Sequence, residues 1–394
     1  MNDMIYLDNG ATTFPKPEVV YQQMDSFYRH YGVNPGRSGY DMCLAAGSII
    51  EDTRKLLTRF FNGTDPNRLV FGYNATDALN LAIYGLLLPG DHAIATTLEH
   101  NSVLRPLYHL SRDSRVEVEH VQFDERGFIS PDEISRRFRK NTRLVAINHA
   151  SNVIGTVQDL AAIGGSCRER GIVLLVDCSQ SAGKIPIDMQ GMNLDVVAFT
   201  GHKSLMGPMG IGGLCVREGV EIRHTRAGGT GVRSAQRAHL DEYPYRLEYG
   251  TPNLPGIAGL NAGVKWLQEQ GMEDIERREM RLLEILRDGL RQIDHVVLHC
   301  QDQLTNHIGV LSFNIQGIEA SEVGTMLDVD HSIACRTGLH CAPLVHEQLG
   351  TDKVHGSVRF GIGPFTTESD ITKAVAAVEE IAALRATMAA ARPR

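Results

Sequence analysis

A lysine and an aspartate follow two successive apolar segments in the middle of the sequence. Asp177 comes directly after residues 172–176, and Lys203 comes shortly after residues 194–199. Both segments are typical of buried strands, and the carboxyl ends of such strands form the binding crevice of an open α/β sheet. A lysine amine can bond covalently to an aldehyde, and a buried carboxylate can keep a ring nitrogen protonated. Pyridoxal phosphate requires both groups, so the pair predicts a site for that cofactor.

Gln180 strengthens this interpretation because it adds an amide three residues after Asp177. We expect Asp177 to pair with the pyridinium nitrogen of the cofactor and Gln180 to reach its phenolic oxygen. A charged side chain after Val-Leu-Leu-Val would be costly to bury without such a partner. For Lys203 taken alone, an ordinary surface lysine after a strand is the alternative.

Three further polar segments follow candidate strands. Residues 73–80 open a helix whose free N–H groups and dipole would attract an anion, although plain N-capping by Asn74 or Thr76 fits the same residues. His100 opens the next helix, where its imidazole could stack on a planar ring or be structural. Asn152 can add a side-chain amide at the same edge of the sheet. These segments predict a crevice built from several strand ends.

Cys341 lies in a short polar segment, 335–343, that we expect to be a loop. Most buried cysteines are inert packing groups. Cys341 differs because His340 and Arg336 lie near it, and cationic neighbours raise the thiolate fraction of a cysteine. We therefore expect a reactive thiol at this position. Further along, Arg359 on a candidate strand could bind a substrate carboxylate with two parallel hydrogen bonds.

A zinc site is the alternative for this region, because histidines and cysteines cluster in it. The residues are His331, Cys335, His340, Cys341 and His346. Their spacing matches none of the usual zinc-ligand patterns. We therefore predict no metal site.

Short apolar segments alternate with amphipathic helices between residues 68 and 216, which predicts an α/β fold with a mostly parallel, seven-stranded sheet flanked by helices. The predicted strands are 69–71, 92–95, 116–118, 144–147, 172–176, 196–199 and 212–216, and helices 76–88 and 160–170 fall between them. After Pro255, the predicted helices are 258–270, 274–293 and 368–391, and the predicted strands are 296–299, 309–313 and 357–360. This second pattern predicts a smaller α+β region.

The chain of 394 residues is long enough for two domains. We expect a large cofactor-binding domain over residues 18–257 and a small C-terminal domain over residues 258–394. Residues 1–17 are expected to pack on or near the small domain.

The composition argues against several classes of protein. The formal net charge of -8 argues against a broad basic face for nucleic acid. We expect neither a membrane span nor a signal peptide, because no apolar run approaches roughly 20 residues and the N-terminus lacks a basic segment followed by an apolar one. The seven cysteines are scattered and do not resemble a disulfide framework. We therefore expect a protein of the reducing cytoplasm.

The motifs of the chain resemble those of a known enzyme family nearly end to end. The matching segments are Tyr6-Leu7-Asp8-Asn9-Gly10-Ala11-Thr12-Thr13, Asn34-Pro35-Gly36-Arg37, Glu99-His100-Asn101, Ser151-Asn152-Val153-Ile154-Gly155-Thr156, Gly201-His202-Lys203, Gly250-Thr251-Pro252-Asn253 and Arg336-Thr337-Gly338-Leu339-His340-Cys341. The chain resembles class V, fold-type I pyridoxal-phosphate enzymes of the cysteine desulfurase and selenocysteine lyase group. The last segment is similar to the short cysteine loop of Suf-type (group II) desulfurases. Residues 204–207 are one residue longer than is usual there, which leaves the subgroup and the sulfur acceptor open.

The resemblance implies a role for each matched residue. Lys203, as the Schiff-base lysine, Cys341, as the persulfide-forming cysteine, and His100 are expected to be catalytic. The residues expected to hold the cofactor are Ala75, Thr76, His100, Asn152, Asp177, Gln180, Thr200, His202, Lys203 and Thr251 of the partner subunit. The residues expected to bind substrate are Asn152, Arg336 and Arg359. A contribution from Thr251 of the partner subunit implies a homodimer with shared sites.

The implied activity is conversion of L-cysteine to L-alanine, with the sulfur carried on Cys341 to an acceptor protein. A selenocysteine lyase would share the cofactor residues and could dispense with Cys341. A kynureninase-like hydrolase or an epimerase would need no cysteine in this loop. A sulfur-carrying or scaffold protein without turnover would have no reason to keep Lys203, Asp177, Gln180 and His100 together.

Overall fold

A computed structural model describes residues 4–35, 40–300 and 302–384 of the chain. The strands are β1 (Ile5–Tyr6), β2 (Leu69–Gly72), β3 (His92–Thr96), β4 (Glu117–Val121), β5 (Thr142–Asn148), β6 (Val173–Asp177), β7 (Val196–Thr200), β8 (Gly212–Val216), β9 (Val296–Leu298), β10 (Val310–Ile315), β11 (Ile333–Ala334), β12 (Arg336–Gly338) and β13 (Ser357–Gly361). The α-helices are α1 (Glu18–Tyr31), α2 (Asp41–Phe60), α3 (Ala75–Leu86), α4 (Asn101–Ser114), α5 (Pro131–Ser135), α6 (Leu160–Arg170), α7 (Leu254–Gln270), α8 (Met272–Arg291), α9 (Ala320–His331), α10 (Pro343–Leu349) and α11 (Glu368–Ala383). Gly36 and Arg37 of the predicted Asn-Pro-Gly-Arg motif, and the predicted helix beyond residue 384, lie outside the described residues.

The predicted seven-stranded sheet is confirmed, in the order β2-β8-β7-β6-β5-β3-β4. The neighbours from β4 to β7 pair in parallel, and β8 runs antiparallel to both β7 and β2. The central strands β6 and β7 are apolar up to their last residue, as expected for a sheet that is covered on both faces. The seven strands predicted from the sequence therefore belong to one sheet.

Alternate residues of the central strands pack into two separate hydrophobic cores. Val145 and Leu174 face the core that also holds residues of α6 and α7. Leu144 and Leu175 face the core that also holds residues of α3 and α4. This alternation follows from the two-residue period of a strand, and each fully buried aliphatic side chain contributes about 1.5–3 kcal/mol to stability. The two cores fix the sheet rigidly between helical layers.

Four parallel strands end on polar residues at the same edge of the sheet. Thr96, Asn148, Asp177 and Thr200 are the last residues of β3, β5, β6 and β7. The Cα of Asp177 lies opposite that of Asn148 in the register of β6 against β5. The carboxyl ends of these strands therefore bring polar side chains together beneath the N-termini of α3 and α4.

A second, antiparallel sheet has the order β12-β13-β10-β9. Its register places Arg336 opposite Arg359 on adjacent strands. The N-terminal strand β1 pairs with β11, and Ile5 and Leu7 are buried in the same core as this sheet. The N-terminal segment and the C-terminal sheet thus pack together.

Two local expectations differ from the structure. The predicted loop 335–343 is only partly a loop, because Arg336–Gly338 form strand β12 against β13. Helix α7 begins at Leu254 rather than at 258, because Asn253 caps it and Pro255 lies in its first turn, where proline is tolerated. Helix α7 packs in the core of the large sheet, and the division of the chain at 257/258 stays a prediction.

Within the described residues, no helix is both long enough and apolar enough to cross a membrane.

Candidate active site

A cavity of about 250 Å³ lies at the carboxyl ends of the parallel strands. Most of the predicted site residues line it: Ala75, Thr76, His100, Asn152, Asp177, Gln180, Thr200, His202, Lys203, Arg336 and Arg359. Cys341 and Thr251 are the predicted residues that are not in this lining. The cavity therefore gathers residues from the large sheet and from the C-terminal sheet around one space.

Asp177 and Lys203 lie at and just after the ends of the neighbouring strands β6 and β7. Asp177 ends β6 and accepts a hydrogen bond from the backbone N–H of Ser179 at 2.9 Å. Burial lowers the pKa of Lys203 to about 8, and the nearby Asp177 carboxylate opposes this shift. An amine with this pKa is partly neutral near pH 7 to 8, as a nucleophile or a proton acceptor must be.

Gln180 is fixed by the N-terminal segment. Its Nε2 donates to the carbonyl oxygen of Gly10 at 2.8 Å, and its side chain is buried. A Cβ on Gly10 would lie 3.1 Å from the guanidinium of Arg359. The absence of a side chain at Gly10 therefore lets the N-terminal segment pack directly against the guanidinium of Arg359.

The first turn of α3 forms one end of the cavity. Asn74 caps this helix, because its side chain accepts from the backbone N–H of Asp77 at 2.9 Å. The capping interpretation therefore holds, while Ala75 and Thr76 still face the cavity. Two further atoms of the lining residues, Thr200 Oγ1 and His202 Nδ1, are buried and have no hydrogen-bond partner among the described residues.

His100 is the cap of helix α4. Its Nδ1 accepts from the backbone N–H of Ser102 at 3.1 Å and lies 2.8 Å from Ser102 Oγ. Burial, reinforced by the positive charge of Lys203, lowers the pKa of His100 to about 4. The imidazole is therefore neutral near pH 7, with Nδ1 as an acceptor and the proton on Nε2.

Arg359 lines the cavity and is buried, with 1% of its surface exposed. Its Nη1 donates to the carbonyl oxygen of Asn152 at 2.9 Å, and its Nη2 donates to Asp8 Oδ1 at 3.0 Å. A guanidinium has five N–H donors, so donors are left over. Arg359 Nε and Asn152 Oδ1 have no hydrogen-bond partner among the described residues. Two residues of the cavity lining thus each keep a buried polar atom for another partner.

Cys341 lies on a tightly anchored turn. His340 and Cys341 have φ angles of 49° and 59°, a left-handed conformation that is uncommon for side chains other than glycine. Asn152 Nδ2 donates to the His340 carbonyl at 2.7 Å, and the backbone N–H of Asn101 donates to the Cys341 carbonyl at 2.7 Å. The turn is thereby tied to the segment after β5 and to the start of α4.

Arg336 connects this turn to the cavity. Its Nη2 lies 3.7 Å from Cys341 Sγ, within hydrogen-bonding distance for sulfur, while its side chain also lines the cavity. The guanidinium of Arg336 thus lies between the thiol of Cys341 and the cavity. Thr251 is exposed in the segment between β8 and α7 and does not reach the cavity of its own chain.

Sequence reasoning missed several residues in or beside the site, among them Ser102, Glu99 and Asn148. Ser102 lines the cavity and lies 2.7 Å from Thr76 Oγ1. Glu99 is fully buried, and its Oε1 accepts from Thr96 Oγ1 at 2.6 Å and from the Asn148 backbone N–H at 3.1 Å. Burial raises the pKa of Glu99 to about 8. The sequence pattern could have indicated Asn148, because it ends an apolar strand as Asp177 does. No sequence pattern indicated the contacts of Ser102 or Glu99.

No group of three or more His, Cys, Asp or Glu side chains in the described part of the chain is arranged to hold a metal ion. His340 and His346 lie near each other, with ring centroids 5.4 Å apart. Each ring also contacts a hydroxyl group: His340 Nε2 lies 3.1 Å from Ser357 Oγ, and His346 Nδ1 lies 2.8 Å from Thr351 Oγ1. These contacts are those of structural histidines.

Comparison with known proteins gives a family match over most of the chain. The model of the aminotransferase class-V family matches residues 5–373. A probable cysteine desulfurase from Methanothermobacter thermautotrophicus is 32% identical over 389 residues, covering 98% of this chain and 96% of that protein. A cysteine desulfurase from Pectobacterium atrosepticum is 32% identical, covering 96% of this chain and 93% of that protein.

Solved structures give the same result. The apo structure of a cysteine desulfurase from Thermococcus onnurineus has a TM-score of 0.90 and 32% identity, covering 96% of this chain and 95% of that one. A cysteine desulfurase from Escherichia coli has a TM-score of 0.85 and 29% identity, covering 97% of this chain and 95% of that one.

Proposed function

The chain belongs to the aminotransferase class-V family, and we propose that it is a cysteine desulfurase that uses pyridoxal phosphate and carries sulfur on Cys341. The relatives named as cysteine desulfurases support the reaction, and the cavity supports the cofactor. The observation that carries the proposal is the contact between Arg336 Nη2, which lines the cavity, and Cys341 Sγ at 3.7 Å. It connects a thiol to a site that is otherwise suited to amino-acid chemistry.

The polar groups of the cavity fit pyridoxal phosphate. Thr200 Oγ1 and His202 Nδ1 have no partner among the described residues, and they face the first turn of α3, where a phosphate would be stabilised. Asp177 would hold the proton of the ring nitrogen, and Lys203 would hold the aldehyde carbon. When bound, the cofactor withdraws electrons from the α-carbon of an amino acid.

The remaining cavity residues would bind and deprotonate the substrate. The free N–H donors of Arg359 suit the carboxylate of an amino acid. The amine of Lys203, whose pKa burial lowers to about 8, would accept the α-proton. Neutral His100 would present its Nε2–H as a hydrogen-bond donor in the same space.

The sulfur step would use the Cys341 thiolate. The thiolate attacks the sulfur of L-cysteine, so that an S–S bond forms while the Cβ–S bond of the substrate breaks. The electron pair of the broken bond stays with Cβ, which takes up a proton and leaves as part of L-alanine. The sum is Cys341 thiol plus L-cysteine giving Cys341 persulfide plus L-alanine, with no external oxidant or reductant.

Partners and location are part of the proposal. Thr251 of the partner subunit would complete the phosphate site in a homodimer, and an acceptor protein would take the persulfide sulfur in the cytoplasm. Selenocysteine lyase is the second candidate, because the residues around the cofactor would serve both substrates. The presence of Cys341 favours the sulfur substrate, since a selenocysteine lyase could dispense with this cysteine.

Product analysis with L-cysteine under reducing conditions tests the proposal. Wild type should release equal amounts of L-alanine and sulfide. Cys341→Ala should keep the visible absorbance of the bound cofactor but release no sulfide, and Lys203→Ala should lose that absorbance. Cys335→Ala is the matched control and should behave as wild type, because burial raises the pKa of this neighbouring thiol to about 12. Full sulfide release by Cys341→Ala would exclude Cys341 as the nucleophile.

A further inference from the structure

Ser102 connects two cavity residues that belong to different helices. It is the second residue of α4, it is buried, and it lines the cavity. Its Oγ lies 2.8 Å from His100 Nδ1 and 2.7 Å from Thr76 Oγ1. One hydroxyl therefore bridges the imidazole that caps α4 and the hydroxyl in the first turn of α3.

The direction of these hydrogen bonds follows from the acceptor role of Nδ1. The backbone N–H of Ser102 donates to Nδ1 at 3.1 Å, so this nitrogen carries a lone pair and no proton. If Ser102 donates to Nδ1 and Thr76 donates to Ser102, both contacts are hydrogen bonds. The reverse order would set the lone pairs of Ser102 Oγ and Nδ1 against each other. The protons therefore run from Thr76 to Ser102 to His100.

We propose that Ser102 is a positioning residue that holds His100 in its Nε2–H tautomer and connects it to the anion site at the start of α3. An anion that accepts the Thr76 proton removes the hydrogen bond that Thr76 donates to Ser102. Ser102 still donates to Nδ1, but it becomes a weaker donor because its oxygen no longer accepts a proton from Thr76. The neutral form of His100 therefore loses part of its stabilisation when the anion binds, and the imidazole becomes a stronger base.

This coupling acts on a ring that several charges already influence. Lys203, Arg336 and Arg105 disfavour the protonated imidazole, and Asp177 favours it. Removal of the Ser102 hydroxyl leaves these four groups in place. The effect of Ser102 can therefore be separated from theirs by comparing variants at this one position.

The inference deepens the proposed function and rests on it, but its test reads the protonation of His100 without turnover. The full-length protein without cofactor is labelled with nitrogen-15 at histidine and titrated by NMR, and His100 is assigned with His100→Gln. In wild type, Nδ1 should be the unprotonated nitrogen. In Ser102→Ala, the pKa of His100 should rise by about half to one pH unit, because one donor to the neutral ring is lost. Ser102→Thr, which keeps the hydroxyl, should restore the wild-type value.

Inorganic phosphate then tests the connection to Thr76. Phosphate should raise the pKa of His100 more in wild type than in Ser102→Ala, and Thr76→Val should lose the same extra rise. A protonated Nδ1 of His100 in wild type would overturn the assigned tautomer. An equal response to phosphate in wild type and Ser102→Ala, or no response in wild type, would overturn the connection. A protein that shows these changes but makes no alanine would keep this inference and contradict the proposed function.

Discussion

At the scale of single residues, the site depends on burial that changes acid–base behaviour. Burial lowers the pKa of Lys203 to about 8 even though Asp177, which favours the charged amine, lies nearby. The same physical cause lowers the pKa of His100 and of His202, each to about 4. A neutral imidazole can donate and accept, and a partly neutral amine can attack an aldehyde, so these shifts prepare both groups for reaction near neutral pH.

Capture of pyridoxal phosphate by the cofactor-free protein should depend on pH through Lys203. Since only the neutral amine attacks, the rate should rise about tenfold per pH unit below pH 8 and level off above it. An ordinary lysine would continue to gain rate up to about pH 10. The rate is measured by the change in visible absorbance, with a free alkylamine as the control for titration of the cofactor itself. A rate that still climbs steeply between pH 8.5 and pH 10, as roughly expected for an unperturbed lysine, would contradict the assigned shift.

Residues at strand ends could be predicted from the sequence because an apolar run followed by a polar side chain is a local pattern. Asp177 is the example, and Asn148 carried the same signal. Ser102 could not be predicted, because its contact with Thr76 joins residues on different helices. The left-handed turn at Cys341 was equally hidden, since it is held by contacts to distant segments.

At the scale of elements, long apolar strands were predictable and very short ones were not. The run 172–176 is covered on both faces, so its composition alone indicates a buried strand. Strands β1, β11 and β12 have two or three residues each, and their pairing joins segments far apart in the chain. Strand β12 brings Arg336 to the cavity, and β1 precedes Asp8, which accepts a hydrogen bond from Arg359. Part of the site that would bind substrate therefore depends on the least predictable elements.

A buried ion pair joins the large sheet to the C-terminal region. Lys184, after β6, donates to Glu279 on α8 and to the carbonyl oxygen of Ile362 at 3.2 Å. Glu279→Ala should lower the free energy of unfolding by about 3–5 kcal/mol, because it leaves the buried charge of Lys184 without its partner. Glu284→Ala, at an exposed position on the same helix, should change it by less than about 0.5 kcal/mol.

Chemical denaturation measures the free energy of unfolding of wild type, Glu279→Ala and Glu284→Ala. The double variant Lys184→Met/Glu279→Leu should regain most of the lost stability, since it removes both charges. If Glu279→Ala were no less stable than Glu284→Ala, the pair would not join these regions energetically.

At the scale of the whole molecule, the cavity depends on contributions from distant parts of the sequence. The N-terminal segment reaches Gln180 through Gly10, and Asp8 reaches Arg359. Thr251 is exposed in its own chain, which is consistent with the proposal that it serves a second copy. A site completed across a dimer would tie activity to assembly.

Mixed dimers of Lys203→Ala and Thr251→Ala protomers test the shared site. Each parent dimer should be impaired, the first through loss of the amine and the second through weaker cofactor binding. In the mixed dimer, one site combines an intact Lys203 with an intact Thr251 of the partner subunit, so cofactor affinity and alanine production should recover in that site. Mixing that restores neither would show that Thr251 does not act on the partner's site.

The sulfur-carrying role of Cys341 is the central claim, and mass spectrometry after a single turnover tests it most directly. Wild-type protein is given one equivalent of L-cysteine without reductant or acceptor, and the peptides are analysed under conditions that preserve persulfides. The account predicts one extra sulfur atom on the peptide that contains Cys341, in an amount equal to the L-alanine formed. Alanine formed with the extra sulfur on a different cysteine, or on none, would contradict it.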